Sequence, residues 1–346
     1  MNSNTMTPMQ RVLTALSHNE PDRVPMFLLL SLHGAKELGL SIKDYFSTGE
    51  NVAEGQIRLQ KKFQNDCYYT FFHAPLEIEA FGGEVIYSND GPPNSGIPFI
   101  RNVEQIMQLE APKISEAKML HKVLEATKKL YIASAGNIPI IGVVMSPFSL
   151  PVMQMGFDKY LDIMHSRSDL FEHLMQVNEE FCVNWANAQL EAGATAICYF
   201  DPVSSPTIIT RDKYLETGFE IAKRTLARIK GPTATHFASG KALPVADLLP
   251  QTGTAVIGAS SMEDLSDLKA AFQKKLTILG NLNGIEMRRW TAEQARQEVR
   301  TAIHKAATGG GFILSDNHGE IPYQVPDEVL LAISDAVREF GSYLIK

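Results

Sequence analysis

The chain has few cysteines and no long apolar run. Its three cysteines, Cys67, Cys182 and Cys198, form no Cys-x-x-Cys pair, and one is left over in any disulfide scheme. This usage is typical of a reducing compartment. No apolar stretch approaches the roughly 20 residues that a membrane helix needs, and the N-terminus lacks the charged and apolar regions of a signal peptide. We therefore expect a cytoplasmic protein that does not bind a membrane.

Long runs of one charge are also missing. The 32 basic and 39 acidic residues give a net charge of −7 at pH 7 and are distributed without blocks of one sign. Nucleic-acid backbones and anionic membrane surfaces attract basic patches, so neither is an expected partner. With 45% hydrophobic residues in 346, the chain can bury a large core, either as one α/β barrel or as two ordinary domains.

Familiar catalytic signatures are absent as well. The chain has no Gly-x-Ser-x-Gly or Ser-x-x-Lys nucleophile motif, no phosphate-binding loop and no His-Glu-x-x-His pattern. No glycine-rich dinucleotide loop opens a helix, which disfavours a Rossmann fold. The pair Asp316-x-His318 begins like the corrinoid-ligating pattern Asp-x-His-x-x-Gly, but residue 321 is isoleucine, so we discount this match.

The chain does have a regular alternation of strand and helix patterns. After an opening helix near residues 9–16, strands are predicted at 24–30, 67–72, 138–145, 194–200, 233–237, 254–258, 276–280 and 311–315. Helices are predicted at 50–64, 115–135, 156–192, 211–229, 241–250, 263–273, 291–307 and 326–343. Eight strands separated by helices favour an α/β fold closed as a (β/α)8 TIM barrel. We predict one domain, 1–346, in which 77–101 forms a hairpin-like excursion near the barrel mouth, after the second strand.

Polar residues follow the predicted strands, and the carboxyl ends of the strands form the active site in barrel enzymes. The candidate catalytic residues are His236, His318, Asp316 and Asp201, because imidazoles and carboxyl groups exchange protons. Two imidazoles and an acid also suit a divalent ion, so His236, His318 and Asp316 form a candidate zinc site. The sequence does not choose between these chemistries. The candidate substrate-binding residues are His73, Met145, Phe148, Tyr199, Phe200, Phe237 and Asn281.

Several segments, taken in order, resemble the uroporphyrinogen decarboxylase superfamily. They lie at 11–16, 21–25, 201–206, 235–240, 280–282 and 309–326. Within the superfamily the chain is more similar to the corrinoid-dependent methyltransferases, such as methylcobamide:coenzyme M methyltransferase, than to the decarboxylase. The decarboxylase has an arginine-rich substrate loop after its first strand, whereas this chain has Leu-Leu-Leu-Ser-Leu-His-Gly-Ala at 28–35.

The resemblance also implies a metal site with a changed ligand set. Thiol methyltransferases of the group bind zinc through a His-x-Cys pair after the fifth strand and a cysteine after the eighth. Here His236 keeps the imidazole, while Ala238 and His318 stand where the cysteines belong. Histidines and a carboxylate form a harder ligand set than thiolates, which suits an oxygen-bearing substrate better than a thiol.

The function that the resemblance implies is methyl transfer. We expect an enzyme that moves a methyl group from a small methylated donor, preferably an aryl methyl ether, to the cob(I)alamin of a corrinoid protein. Zinc and a partner-borne corrinoid are the implied cofactors. Two alternatives stay open: a decarboxylase similar to uroporphyrinogen decarboxylase, with Asp201 or a histidine as proton donor, and a catalytically degenerate protein that binds a corrinoid or a partner. The oligomeric state is also open, with a homodimer as one alternative.

Overall fold

The protein folds as a ring of parallel strands enclosed by helices, and a computed structural model describes its residues 5–343. The strands of this part of the chain are β1 (Tyr68–Tyr69), β2 (Val85–Ile86), β3 (Asn94–Ser95), β4 (Ile140–Met145), β5 (Ala196–Phe200), β6 (Thr233–His236), β7 (Val256–Gly258), β8 (Thr277–Leu282) and β9 (Phe312–Asp316). The helices are α1 (Pro8–Leu16), α2 (His33–Leu38), α3 (Ile42–Tyr45), α4 (Gly49–Phe63), α5 (Pro75–Ala80), α6 (Lys118–Ser134), α7 (Pro151–Met155), α8 (Phe157–Ser166), α9 (Ser168–Glu191), α10 (Arg211–Glu216), α11 (Gly218–Leu226), α12 (Leu265–Phe272), α13 (Ala292–Ala306) and α14 (Asp327–Phe340).

One curled sheet contains seven of these strands, in the order β1, β4, β5, β6, β7, β8, β9. All neighbours are parallel, and the register aligns the strand ends, for example Phe200 with His236 and His236 with Gly258. Parallel neighbours require crossover connections, which the helices between the strands supply. The predicted TIM-barrel fold is confirmed by this arrangement. None of the helices in residues 5–343 is long and apolar enough to cross a membrane.

The ring closes between β9 and β1 through the segment 24–30, which was predicted as a strand. This segment makes a single parallel bridge to β9, between Met26 and Leu314. On its other edge, the Asp66 backbone N–H donates to the Met26 carbonyl at 2.8 Å, and side chains add further bonds. The Asp66 carboxylate accepts the Met26 N–H at 2.8 Å, and the Asn65 amide exchanges two hydrogen bonds with the backbone of residue 28. Backbone groups buried at the join are thus satisfied without an eighth regular strand.

An apolar layer fills part of the ring. Strand side chains alternate between the two faces of a sheet, so every second residue points inward. The inward residues pack with Val12 of α1, which covers the amino ends of the strands, in a cluster formed by Val12, Phe27, Leu29, Cys67, Tyr69, Val143, Cys198, Val256, Leu279 and Ile313.

Three further predicted segments differ from the structure. Residues 241–250, predicted as a helix, form two 3-10 turns, Leu243–Val245 and Leu249–Thr252, because prolines at 244 and 250 remove backbone donors. The helix predicted at 211–229 is divided at Thr217 into α10 and α11. Within the predicted excursion 77–101, α5 ends at Ala80, and β2 and β3 form a short antiparallel hairpin. The assignment of 1–346 to one domain stays a prediction, and its ends lie outside the described residues.

A buried ion cluster fastens α1 to the barrel at the closure. The Arg11 guanidinium, 4% exposed, bonds Asp22 at 2.7 Å and Asp66 at 2.6 Å, and Arg23 bonds the second oxygen of Asp66 at 2.8 Å. Asp66 therefore holds the two arginines and the backbone of Met26 at once. Removing it would leave a buried guanidinium short of a partner, which costs far more than loss of an exposed pair.

We expect Asp66→Ala to lower the free energy of unfolding by about 3–5 kcal/mol, because it breaks a buried ion pair and the barrel closure together. Urea unfolding followed by circular dichroism measures the effect. Glu54→Ala is the control, since it removes an exposed i,i+4 pair with Arg58 on α4 and should unfold like the parent. Equal midpoints for the two variants would show that closure does not depend on Asp66.

Candidate active site

Several buried polar atoms at or after the strand ends have no hydrogen-bond partner within residues 5–343. Among them are both ring nitrogens of His33, Nδ1 of His73, Nε2 of His236 and Oδ1 of Asp316. Each residue is at most 2% exposed. An unsatisfied buried polar group costs about 1–3 kcal/mol, so these atoms are candidates for bonding a ligand.

The imidazole of His236 is fixed at the end of β6. The Ala238 N–H donates to its Nδ1 at 2.9 Å, so the neutral ring carries its proton on Nε2. The Phe200 ring lies on one side with a centroid distance of 5.5 Å. Gly258 lies on another, where a β-carbon would be 2.4 Å from Cδ2. His236 therefore presents a positioned N–H donor.

The imidazole of His318 is bonded at both nitrogens. Its Nδ1 bonds the Ser239 hydroxyl. With the Asn317 amide oriented so that its oxygen accepts from Ser261, its nitrogen donates to His318 Nε2 at 3.1 Å. The backbone N–H of His318 donates to Asp316 Oδ2 at 3.0 Å. These bonds hold the loop after β9 against the loops after β6 and β7.

The predicted zinc ligands lie near one another but do not fit a metal ion. A β-carbon at Gly284 would be 3.4 Å from His318 and 3.6 Å from Asp316. Zinc needs a free nitrogen lone pair, whereas His236 carries a proton on Nε2 and both nitrogens of His318 are engaged. In residues 5–343, no three His, Cys, Asp or Glu side chains converge in a way that could hold an ion. Zinc at His236, His318 and Asp316 remains a prediction, and we derive no chemical step through it.

Two carboxyl groups near the end of β9 have raised proton affinities. Burial raises the pKa of Asp316 to about 6. Burial and the nearby Asp316 charge raise the pKa of Glu320 to about 7, although the Ser31 hydroxyl, which donates to Oε1, opposes this. Sequence reasoning gave Glu320 no role, although it follows Asp316 by four residues in the same strand-end segment. Acids that titrate near neutrality suit proton donation.

Asp201 occupies a different environment from the other predicted catalytic residues. One carboxylate oxygen accepts the hydroxyls of Ser146 and Ser149, the latter at 2.8 Å, and the other accepts the hydroxyl of Ser204. The residue is 1% exposed. This cage ties the loop after β4 to the loop after β5. A catalytic role for Asp201 stays a prediction, and the geometry favours a role in holding these loops.

The predicted substrate-binding residues separate into two groups. The Phe200 ring lies beside that of His236, and Tyr87 of the 77–101 excursion contacts His73 Nε2 at 3.4 Å. The others are engaged elsewhere. The side chains of Met145, Phe148, Tyr199 and Phe237 pack in apolar clusters of the core. The Asn281 amide donates to the backbone of Ser260 and Glu263. Strand-end position alone does not show which way a side chain points, so a substrate-binding role for these five residues stays a prediction.

No lysine or arginine directly follows the strands. None of the first four residues after segment 24–30, or after each strand of the curled sheet, is lysine or arginine. Burial lowers the pKa of His33 and of His73 to about 3 and that of His236 to about 4, so these rings are neutral at pH 7. Burial also raises the pKa of Glu77, which accepts the Met145 N–H, to about 8. The imidazoles of the site are thus neutral at pH 7, and its carboxyl groups have pKa values raised toward or above neutrality.

Fold and site together define a TIM-barrel protein with an acid- and imidazole-lined mouth. The chain belongs to the uroporphyrinogen decarboxylase (URO-D) family, whose model matches residues 7–340. It is 22% identical to a uroporphyrinogen decarboxylase of Hydrogenovibrio crunogenus, over 96% of this chain and 97% of the relative. It is 26% identical to the enzyme of Solibacter usitatus over 80% and 79% of the two chains.

Solved structures share the fold. A methyltransferase from Methanosarcina mazei superposes with a TM-score of 0.85 at 20% identity, covering 97% of this chain and 99% of that one. A B12-independent methionine synthase from Shewanella sp. W3-18-1 superposes with a TM-score of 0.58 at 16% identity, over 92% and 98% of the chains.

We expect His33→Gln to flatten the acid dependence of stability. The folded pKa of His33, about 3, lies below the ordinary value of 6.5, so the unfolded chain gains a proton first as the pH falls. As the pH falls from 6.5 to about 3, protonation of His33 in the unfolded chain therefore lowers the free energy of unfolding of the parent. Below about pH 3 this group has no further effect. Between about pH 5.5 and 4.5 the slope for the variant should be shallower by up to about 1.4 kcal/mol per pH unit. Urea unfolding at each pH tests this, and parallel curves would contradict it.

Proposed function

We propose that the protein is a methyltransferase that moves a methyl group from a small neutral methyl ether, preferably an aryl one, to a corrinoid carried by a partner protein. Membership of the URO-D family and the methyltransferase-like barrel support the class of reaction. The observation that carries the proposal is the acid Glu320, with a pKa of about 7, among strand ends whose first four following residues include no lysine or arginine.

An aryl ether needs a proton delivered to its oxygen as it releases the methyl group, because phenoxide is a poor leaving group. Glu320 is about half protonated at neutral pH and partly exposed, so it can reach a bound donor. The corrinoid supplies the nucleophile that accepts the methyl group. As the carbon–oxygen bond breaks, its electron pair stays on oxygen, which takes the proton from Glu320. The nearby Asp316 keeps the proton affinity of Glu320 high.

The unsatisfied imidazoles would hold the donor. His236 offers Nε2–H, and a phenol hydroxyl or ether oxygen is a suitable acceptor. The Phe200 ring beside it offers a face for an aromatic donor. His33 and His73 supply further bonding atoms from the loops after 24–30 and β1. Because these groups are neutral, they select by hydrogen bonding and shape.

A decarboxylase is the second candidate, because the curated relatives reported above are named uroporphyrinogen decarboxylases. Uroporphyrinogen is a polycarboxylate, and cationic side chains are the usual partners of carboxylates. The strand ends of this chain provide no such side chain among their first four positions. Charge therefore favours a neutral donor.

We expect Glu320→Gln to lower the rate of methyl transfer by about 100-fold or more, because general acid catalysis contributes roughly that much. The assay is anaerobic and spectrophotometric: protein, a corrinoid partner in the cob(I) state and a donor panel, with growth of methylcob(III) recorded. The rate of the parent should fall above about pH 7 as Glu320 loses its proton. The rate of the variant should not show this fall. Glu298→Gln, on the exposed face of α13, is the control.

Four outcomes would contradict this role for Glu320. Full activity in Glu320→Gln would exclude it as the acid. Loss of activity on chelation, restored by zinc, would support the zinc site at His236, His318 and Asp316 instead. If no donor reacts with a competent partner and carbon dioxide is released from a carboxylated substrate, the decarboxylase alternative is supported. If the protein binds a corrinoid or a partner without turnover, the degenerate protein is supported.

We expect donor charge to matter as much as donor shape. A neutral methoxyphenol should react at least about tenfold faster, in kcat/KM, than the same ring carrying a carboxylate, because burying an unpaired charge is costly. The same assay with matched donor pairs measures the ratio. A preference for the carboxylated donor would show that a cation reaches the mouth, and the neutral-donor proposal would fall.

A further inference from the structure

The barrel axis contains an apolar cavity of about 130 Å³, and of the residues named for the donor site only His236 and Phe200 line it. Strand residues form its wall, α1 closes it at the amino ends through Met9, Val12 and Leu16, and the His236 ring and Gly319 lie at its upper end. TIM-barrel interiors are normally packed by layers of bulky branched side chains. A void of this size in the axis is therefore a departure from the usual barrel.

Small inward residues on neighbouring strands create the void. Ala196 on β5 and Ala234 on β6 point to the axis and line the cavity. Their partners in register are larger: Ile141 opposite Ala196 and Val256 opposite Ala234. Larger side chains on the remaining strands, such as Leu279 and Ile313, do not reach across to fill the space.

The wall is almost entirely apolar, so the cavity does not suit water. An engineered apolar cavity of about 150 Å³ stays dry and binds benzene or xenon, and this void is of similar volume. A water molecule needs two to four polar partners, which an aliphatic and aromatic wall does not provide. Binding of a small apolar molecule would restore dispersion contacts that the wall residues lack.

We propose that the barrel axis is a binding site for one small apolar molecule about the size of benzene. The site lies behind the His236 ring, on the side away from the mouth. It opens near α1, where Leu13 lines the cavity and is 53% exposed. This site does not depend on the methyltransferase proposal, since it rests on volume and wall chemistry alone. Its occupant would contact the candidate catalytic imidazole from below.

The test is titration of the intact protein with benzene, followed by methyl NMR. The aromatic ring current should shift the methyl resonances of Ile141, Leu279 and Ile313, which line the cavity, saturably and with one affinity. The methyl resonance of Ile303, which packs in the outer core, should not move. Shifts confined to mouth residues, or no saturable shift at all, would overturn the proposal.

Ala234→Leu should fill the void and weaken benzene binding at least about tenfold, as added side-chain volume replaces the ligand. Ala133→Leu, on the exposed face of α6, makes the same change elsewhere and should bind like the parent. If Ala234→Leu does not fold, the smaller change Ala196→Val serves the same purpose. Unchanged benzene affinity in a folded cavity-filling variant would contradict an axial site.

Discussion

The structure depends on closing a ring with a segment that does not form a regular strand. Residues 24–30 bridge to β9 at one point, and the side chains of Asp66 and Asn65 satisfy the backbone on the other edge. The same Asp66 carboxylate binds Arg11 and Arg23. The buried Asp66 charge thus joins α1, the closing segment and the connection before β1. By closing the ring, it holds the strand ends, with His33 and Glu320, in one ring.

Burial sets the chemistry of that ring of strand ends. Desolvation disfavours charge, which makes His33, His73 and His236 neutral and keeps protons on Glu77, Asp316 and Glu320 to higher pH. With no lysine or arginine next to the strands to oppose this, the mouth becomes a set of hydrogen-bond donors and acids. An elevated acid pKa is a common property of functional sites, and structural carboxyls such as caged Asp201 show the same direction of shift. Geometry, rather than the shift, separates Glu320 from Asp201.

Family membership and site chemistry carry different information about this protein. The URO-D family model covers nearly the whole chain, and it establishes the barrel and the family. A fold of this kind hosts many reactions, so the reaction has to be argued from the mouth. The neutral imidazoles, the Glu320 acid and the apolar axis behind His236 are features of this chain, and they favour a small donor with little charge over a polyanionic tetrapyrrole.

Sequence alone was sufficient for the strand–helix alternation, the barrel class and the placing of polar residues after strands, because those depend on local periodicity and on parallel topology. It also placed His236 and Asp316 at the mouth. Tertiary structure decided the rest. Hydrogen-bond partners place the His236 proton on Nε2 and bond both nitrogens of His318. The side chains of Tyr199 and Phe237 lie on the face of the sheet that packs in the core. Burial raises the pKa of Glu320. These properties depend on neighbours that are distant in the chain, so they cannot be predicted from residue type and spacing.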